Sequence, residues 1–278
     1  MRALRPILFA LLLAAPCPAL AGPWSRSWGE VYIKLGESLF LADSYVDASG
    51  QVVQGSEYLG ATTFVYYEVG IWDGLMAWGY LPYLVAQNSF DDGSRFLQAG
   101  GGDALMGLQY SPLFLDLPIP LAARLEFKVP FYDVGANAAD PLASRYPAAG
   151  DGQLDVTFWL SAGGSAPGIP LYFFGEVGYR HRTEHYVGTG DDRALADGFT
   201  FAAQVGYTIR HRLLVAVTTG GVVPLSTDEV TKGYITVGPV LALLLPHGLA
   251  LEATVDPIAW ARNASQGVGV SLGLSFKR

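Results

Sequence analysis

Charged and apolar side chains alternate, residue by residue, along several segments of this chain. In the segment 121–129, Arg124, Glu126 and Lys128 alternate with apolar residues, and the segment 153–162 repeats the pattern. Successive side chains of a β-strand point to opposite faces, so each segment would have one polar and one apolar face. A soluble sheet buries its apolar face in a core, whereas a barrel in lipid presents that face to the membrane.

Composition favours the membrane barrel over a soluble β fold. The chain is 51% hydrophobic and only 15% charged, and its mean hydropathy is +0.29. After residue 21 no apolar run reaches the length of a spanning helix; the longest, 240–245, lies between Pro239 and Pro246. The formal net charge of −8 makes nucleic acid an improbable partner, so none is predicted.

The first 21 residues have the form of a secretory signal. Arg2 and Arg5 precede an apolar stretch, and Ala19 and Ala21 place small residues where a signal peptidase requires them. We expect residues 1–21 to be cleaved and residues 22–278 to form a single outer-membrane β-barrel domain. The one cysteine, Cys17, lies in the cleaved part, so the barrel must close without disulfides.

The alternation divides the chain into twelve candidate strands, with ten or fourteen as alternative counts. The predicted fold class is all-β, a closed antiparallel transmembrane β-barrel of twelve strands. The predicted strands are 29–43, 57–70, 75–89, 102–111, 119–132, 151–165, 170–186, 198–210, 213–225, 231–245, 249–256 and 266–277.

Connection lengths predict the orientation of the barrel. Short turns alternate with longer or more polar connections, the arrangement of outer-membrane barrels with short periplasmic turns and long outer loops. An even strand number would then put both termini in the periplasm of a Gram-negative bacterium. Phe276 near the end of the last strand resembles the signal read by the barrel-assembly machinery. The expected partners are that machinery, outer-membrane lipid and lipopolysaccharide. The predicted outer loops are 44–56, 90–101, 133–150, 187–197, 226–230 and 257–265.

Three short motifs carry a family resemblance. The segments 102–110, 128–130 and 152–156 resemble the family of outer-membrane transporters associated with the meta-pathway of phenol degradation. The resemblance implies an outer-membrane location and passage of small, rather apolar molecules. It supplies no catalytic residues.

Residue types that carry enzyme chemistry are sparse. His181 and His185 would share an outward face near the outer rim, and no further metal ligands are apparent there. Ser271 matches the letters of a nucleophile elbow but lies in a strand without a following helix. The acidic pairs 91–92 and 191–192 could hold calcium or remain solvated loop residues. We therefore predict no enzyme activity, no metal and no cofactor.

The inward face of the predicted barrel falls into two halves. Small or neutral residues dominate strands 8 to 12, and charged residues dominate strands 4 to 7. Either a narrow solute path lies between the halves, or the charged side chains fill the space and pair with one another. The first interpretation predicts a channel for small, possibly apolar or aromatic, molecules. The alternatives are a closed structural or adhesive barrel and a lipid-acting enzyme. The predicted lumen residues are Tyr66, Glu68, Trp78, Tyr80, Asp103, Gln109, Arg124, Glu126, Lys128, Asp155, Trp159, Glu176, Arg180, Arg182 and Glu252.

Overall fold

The architecture is given by a computed structural model of the chain. It describes residues 22–113, 119–133, 137, 139–186, 195–226 and 231–278, without the side chains of residues 184–186. Among these residues no helix is both long enough and apolar enough to cross a membrane. The predicted signal segment, and the acidic pair 191–192, lie outside the described residues.

Twelve long strands form one antiparallel sheet in which neighbours in sequence are neighbours in space. The last strand pairs with the first, for example Leu35 with Leu274, and this pairing closes the barrel. A two-residue strand, Val52–Val53, also pairs with the end of β1. The strands are β1 (Val31–Val46), β2 (Ser56–Trp72), β3 (Leu75–Phe90), β4 (Arg95–Gly101 and Asp103–Tyr110), β5 (Leu121–Pro130), β6 (Gln153–Ser165), β7 (Leu171–Tyr186), β8 (Gly198–Ile209), β9 (Leu213–Pro224), β10 (Gly233–Leu244), β11 (Leu249–Arg262) and β12 (Ala264–Lys277).

The twelve-stranded closed antiparallel barrel predicted from the sequence is confirmed. Two of the six predicted long loops are wrong. The segment 90–101 is mostly strand, and β3 and β4 meet in a turn at 91–94. The segment 257–265 is also strand, and β11 and β12 meet at Asn263, whose φ of 48° suits an asparagine. The glycines 100–102 and Pro257 are typical of turns in sequence, but the ladder continues through both segments and keeps their backbone groups paired.

The barrel reverses the burial pattern of a soluble sheet. Outward side chains are apolar and exposed, such as Leu125 at 40% and Val177 at 53%. Inward side chains are buried even where they are charged, such as Lys34 at 2% and Asp155 at 0%. A closed barrel also leaves no sheet edge unpaired, which a lipid environment demands.

The two ends of the barrel differ in how the strands connect. We call the end that holds Val31 and Lys277 the proximal end and the opposite end the distal end. The proximal turns include Asp73-Gly74 and residues 210–212, and both are tight. At the distal end the described part of the 131–152 connection includes a 3-10 turn, Ala143–Arg145, and packs over the β3–β4 turn.

Candidate functional site: the barrel lumen

The predicted lumen residues lie on the inward positions of the strands. Most of them are buried, Gln109 and Asp155 completely, whereas Tyr80, Asp103, Arg180, Arg182 and Glu252 are partly exposed. The strand register brings the charged ones together in three clusters, one at each end of the lumen and one in the middle.

The central cluster is built around Arg124 on β5. Its Nη2 lies 3.3 Å from Glu176 Oε1 and its Nε lies 3.9 Å from Glu126 Oε2. The guanidinium is held between two indole rings, 5.2 Å from the centroid of Trp78 and 4.7 Å from that of Trp159. Trp159 also donates from Nε1 to Glu126 Oε2 at 3.0 Å. Aromatic faces and carboxylates together compensate a guanidinium that is removed from water.

The distal cluster joins three carboxylates to two cations. Lys128 Nζ lies 3.0 Å from Asp155 and 3.6 Å from Asp103, and it also contacts Asp151. Arg182 contacts Asp151 and lies 3.2 Å from Asp155. Burial alone would raise the pKa of Asp151, which precedes β6, but the ammonium and the guanidinium lower that pKa to about 2. Asp151 therefore stays ionised throughout the physiological pH range.

The proximal cluster includes residues that the sequence reasoning missed. Glu252 accepts hydrogen bonds from Lys34 Nζ at 2.7 Å, Tyr32 OH at 2.8 Å and Ser275 Oγ at 2.6 Å. Tyr32 and Lys34 alternate with Ile33 and Leu35, so the alternation used elsewhere could have identified them.

Further lumen residues that the sequence reasoning missed lie before the first strand. The segment Gly22–Arg26, which we call the N-terminal segment, runs inside the proximal end of the lumen. Gln109 Nε2 donates to the Gly22 carbonyl at 3.0 Å, and Ser111 Oγ donates to the Pro23 carbonyl at 2.9 Å. Arg26 Nε lies 2.5 Å from Glu68 Oε2. No strand pattern covers these residues, so only their proximity in the folded chain identifies them.

Aromatic contacts and a backbone turn fix the N-terminal segment. The Trp24 ring meets Tyr172 and Phe174 edge-on, with centroids 6.2 and 6.0 Å apart. A Cβ at Gly70 would lie 1.8 Å from the Ser27 carbonyl oxygen, so only glycine lets the turn after the segment pack there. Gln109 is consequently fully buried against the N-terminal segment, opposite Arg124 in the strand register.

Two cavities lie along the opposite, small-residue half of the lumen. The first has a volume of about 230 Å³ and is lined by the central cluster, Arg180 and the walls of β8 to β11. The second has a volume of about 440 Å³, lies at the proximal end and is lined by Arg26, Lys34 and Glu252 among others. Gln204, which also lines the second cavity, accepts a hydrogen bond from Tyr172 OH at 2.6 Å through Oε1.

Arg180 differs from the other inward arginines. Its side chain lines the 230 Å³ cavity, and no ion pair of Arg180 is found among the side chains that the structure describes. A fully paired ladder of charges on β5 to β7 would include Arg180, but the ion pairs described on these strands involve Arg124, Lys128 and Arg182. Its position two residues before Arg182 places it between the central and distal clusters.

The histidines contribute no metal site in the described part of the chain, where no group of three or more metal-ligating residues is found. His181 faces outward at the distal rim, 59% exposed, with Nδ1 3.1 Å from Asp197 Oδ2. The side chain of His185 lies outside the described residues.

Solved structures with this fold come from bacterial outer membranes. A crystal structure of an outer-membrane channel from Pseudomonas putida F1 aligns with 95% of this chain and 100% of its own, with a TM-score of 0.72 and 10% identity. The fold is that of an outer-membrane β-barrel. The translocator domain of the autotransporter NalP from Neisseria meningitidis covers 90% of this chain and 89% of its own, with a TM-score of 0.54 and 10% identity. In sequence, no family model and no curated protein matches the chain.

Proposed function

We propose that this barrel is an outer-membrane channel for small molecules. The observation that carries the proposal is the asymmetry of the lumen. Ion pairs and tryptophans occupy one half, whereas small residues of β8 to β12 leave cavities of about 230 and 440 Å³ along the other. Diffusion through such a path needs no catalytic group, because width and lining charge set the selectivity. The proposal includes no enzyme activity and no cofactor.

The lining indicates the kind of solute. One wall of the 230 Å³ cavity is aromatic and consists of Tyr66, Trp78 and Trp159. Threonines of β8 to β10 give the opposite wall hydroxyl groups. A small molecule with an apolar face fits such a pair of walls. This agrees with what the resemblance to phenol-pathway transporters implies, and membership of that family is part of the proposal.

The orientation is also proposed. With both termini at one end, the short proximal turns would lie in the periplasm and the distal connections outside the cell. The outward apolar side chains would contact outer-membrane lipid and lipopolysaccharide, and the barrel-assembly machinery would insert the chain.

Liposome swelling separates a channel from a closed structural or adhesive barrel. Proteoliposomes are diluted into iso-osmotic solutions of small solutes, such as a pentose and a monophenol, and their swelling is compared with that of empty liposomes. A channel gives swelling that falls as solute size rises. Swelling equal to that of empty liposomes for every solute would refute the channel and favour the closed barrel.

Ion preference tests whether the 230 Å³ cavity belongs to the path. Arg180→Gln removes a lumen cation with no described ion-pair partner, so the reversal potential in a salt gradient should shift towards cations. The matched control is Arg95→Gln, at an exposed position of β4 at the distal rim, which should leave the reversal potential near that of the wild type. If the channel is open and Arg180→Gln leaves the reversal potential unchanged, the path does not pass through this cavity.

A further inference from the structure

The central cluster contains a carboxylate whose charge is only half satisfied. The side chain of Glu176 is 0% exposed; its Oε1 faces Arg124, but its Oε2 has no hydrogen-bond partner in the described part of the structure. Arg124 is shared with a second carboxylate, Glu126. A buried carboxylate oxygen without a donor is costly, so the site favours a further group with N–H donors and a positive charge.

A second unpartnered acceptor lies beside this cluster. Gln109 is opposite Arg124 in the β4–β5 register, and its Oε1 is buried with no hydrogen-bond partner among the described residues. Its amide nitrogen is used, because Nε2 donates to the Gly22 carbonyl at 3.0 Å. The amide therefore holds one end of Gly22 and leaves an acceptor for a donor close by.

Gly22 lies beside Gln109 and against the ring of Phe174. It is buried, and a Cβ built on it would lie 3.3 Å from Phe174 Cδ1. Phe174 is two residues before Glu176 on β7, so both side chains face inward from the same strand. Gly22 thus contacts the residue that lies two positions before Glu176 on the same inward face of β7.

Cleavage after Ala21, as the sequence predicts, would convert the Gly22 nitrogen into an α-ammonium group. We propose that this processed N-terminus is an internal ligand of the lumen. The α-ammonium donates hydrogen bonds to Gln109 Oε1 and Glu176 Oε2. It thereby holds the N-terminal segment as a plug in the proximal end. The inference rests on the predicted cleavage and, for its effect on transport, on the proposed channel.

The chemistry of the segment supports a plug that is held at both ends. Carbonyls of Gly22 and Pro23 are bound by Gln109 and Ser111, and the Arg26 guanidinium is bound by Glu68 at the other end. Between them the Trp24 ring contacts the β7 aromatic side chains. Without the α-ammonium, only the attachment at Gly22 is weakened. The segment would therefore loosen from Gly22 onwards.

The docking is tested by amine chemistry on the mature protein folded in detergent. Its N-terminal residue is first identified by mass spectrometry, with Gly22 as the expected result. Acetylation near neutral pH favours an α-amine over lysines, and the tryptic peptide 22–26 reports the extent. We expect acetylation of folded protein to be at least about tenfold slower than that of the denatured chain. A different N-terminus, or equal rates in the two states, would overturn the proposal.

Variants separate docking from simple burial. Two glycines added before Gly22 move the ammonium away from its acceptors and should restore fast acetylation. Glu176→Gln should also speed acetylation, whereas Glu252→Gln removes a lumen carboxylate that has its own three donors and should not. If the extended chain and Glu176→Gln both keep the wild-type protection, the ammonium is not the bound group and the proposal fails.

Single-channel recording tests the plug. The two-glycine extension should raise the conductance about twofold, since a loosened segment no longer narrows the proximal end. The control inserts two glycines between Pro167 and Gly168, in an exposed proximal turn where nothing lies within 4 Å of a Cβ built on Gly168, and should change conductance little. Unchanged conductance in the extended chain would refute the plug. Absence of conductance in every variant, with the amine still protected, would refute the channel and leave the docking intact.

Discussion

Arg124 on β5 reaches past the whole of β6 to place its Nη2 3.3 Å from Glu176 Oε1 on β7. The intervening strand contributes Trp159, whose ring lies under the guanidinium. Three strands are therefore tied together by one side chain, and the charged half of the lumen is a packed wall as well as a lining.

Removing the guanidinium should expose the cost of this arrangement. Arg124→Gln leaves Glu126 and Glu176 buried without their shared cation, and the loss should be about 3–5 kcal/mol of unfolding free energy. Arg124→Gln/Glu176→Gln should recover part of that loss, because one of the uncompensated charges is gone. Urea unfolding in detergent measures both, and a double variant no more stable than Arg124→Gln would show that the two residues are not coupled.

The cost of an outward charge should depend on its depth in the membrane. Leu125 is outward and lies mid-strand on β5, so Leu125→Arg should cost about 2–4 kcal/mol, as for an arginine at the bilayer midplane. Leu113 is 64% exposed in a proximal connection, and Leu113→Arg should cost roughly 0–1 kcal/mol. Folding yield into lipid vesicles compares them, and equal losses would contradict the assignment of the lipid face.

The distal cluster should give a distinct acid response. Burial opposes ionisation of Asp151, but Lys128 and Arg182 outweigh it and lower its pKa to about 2. A lowered pKa means that the stabilisation is complete above the ordinary aspartate range and is lost as the pH falls through about 2. Asp151→Asn should therefore lower the unfolding free energy at pH 7. Near pH 2 the difference in unfolding free energy between the variant and the wild type should be smaller. A variant whose deficit is the same at both pH values would contradict this ionisation.

Arg145 should hold the 133–150 connection over the distal end. Its guanidinium lies 4.2 Å from the Phe90 centroid, 5.2 Å from the Phe96 centroid and 2.7 Å from Asp92 Oδ2. Arg145→Ala should make this connection more susceptible to limited proteolysis while the barrel strands stay resistant. Arg145→Lys keeps the charge but loses the planar stacking. Its susceptibility to proteolysis should therefore lie between those of the wild type and Arg145→Ala. Wild-type susceptibility in Arg145→Ala would show that the side chain does not hold the connection.

The sequence alone determined the barrel and its two faces. Alternation has a period of two, so the polar and apolar sets of β5 and β6 could be separated without coordinates. It also predicted twelve strands, because each apolar face must be as long as the membrane is thick, and the structure then excluded the alternatives of ten and fourteen. The strand ends at 90–101 and 257–265 were missed because the glycines 100–102 and Pro257 are typical of turns, whereas the hydrogen-bonded ladder continues through them.

Only the tertiary structure decided which inward residues meet. Arg124 and Glu176 are 52 residues apart, and their contact depends on register and on the tilt that closure imposes. The same holds for Gly22 and Gln109, 87 residues apart, where a segment with no strand pattern enters the lumen. Periodicity describes which face a residue occupies, whereas the pairing of charges and the position of a peptide inside the barrel arise from how the faces enclose a common space.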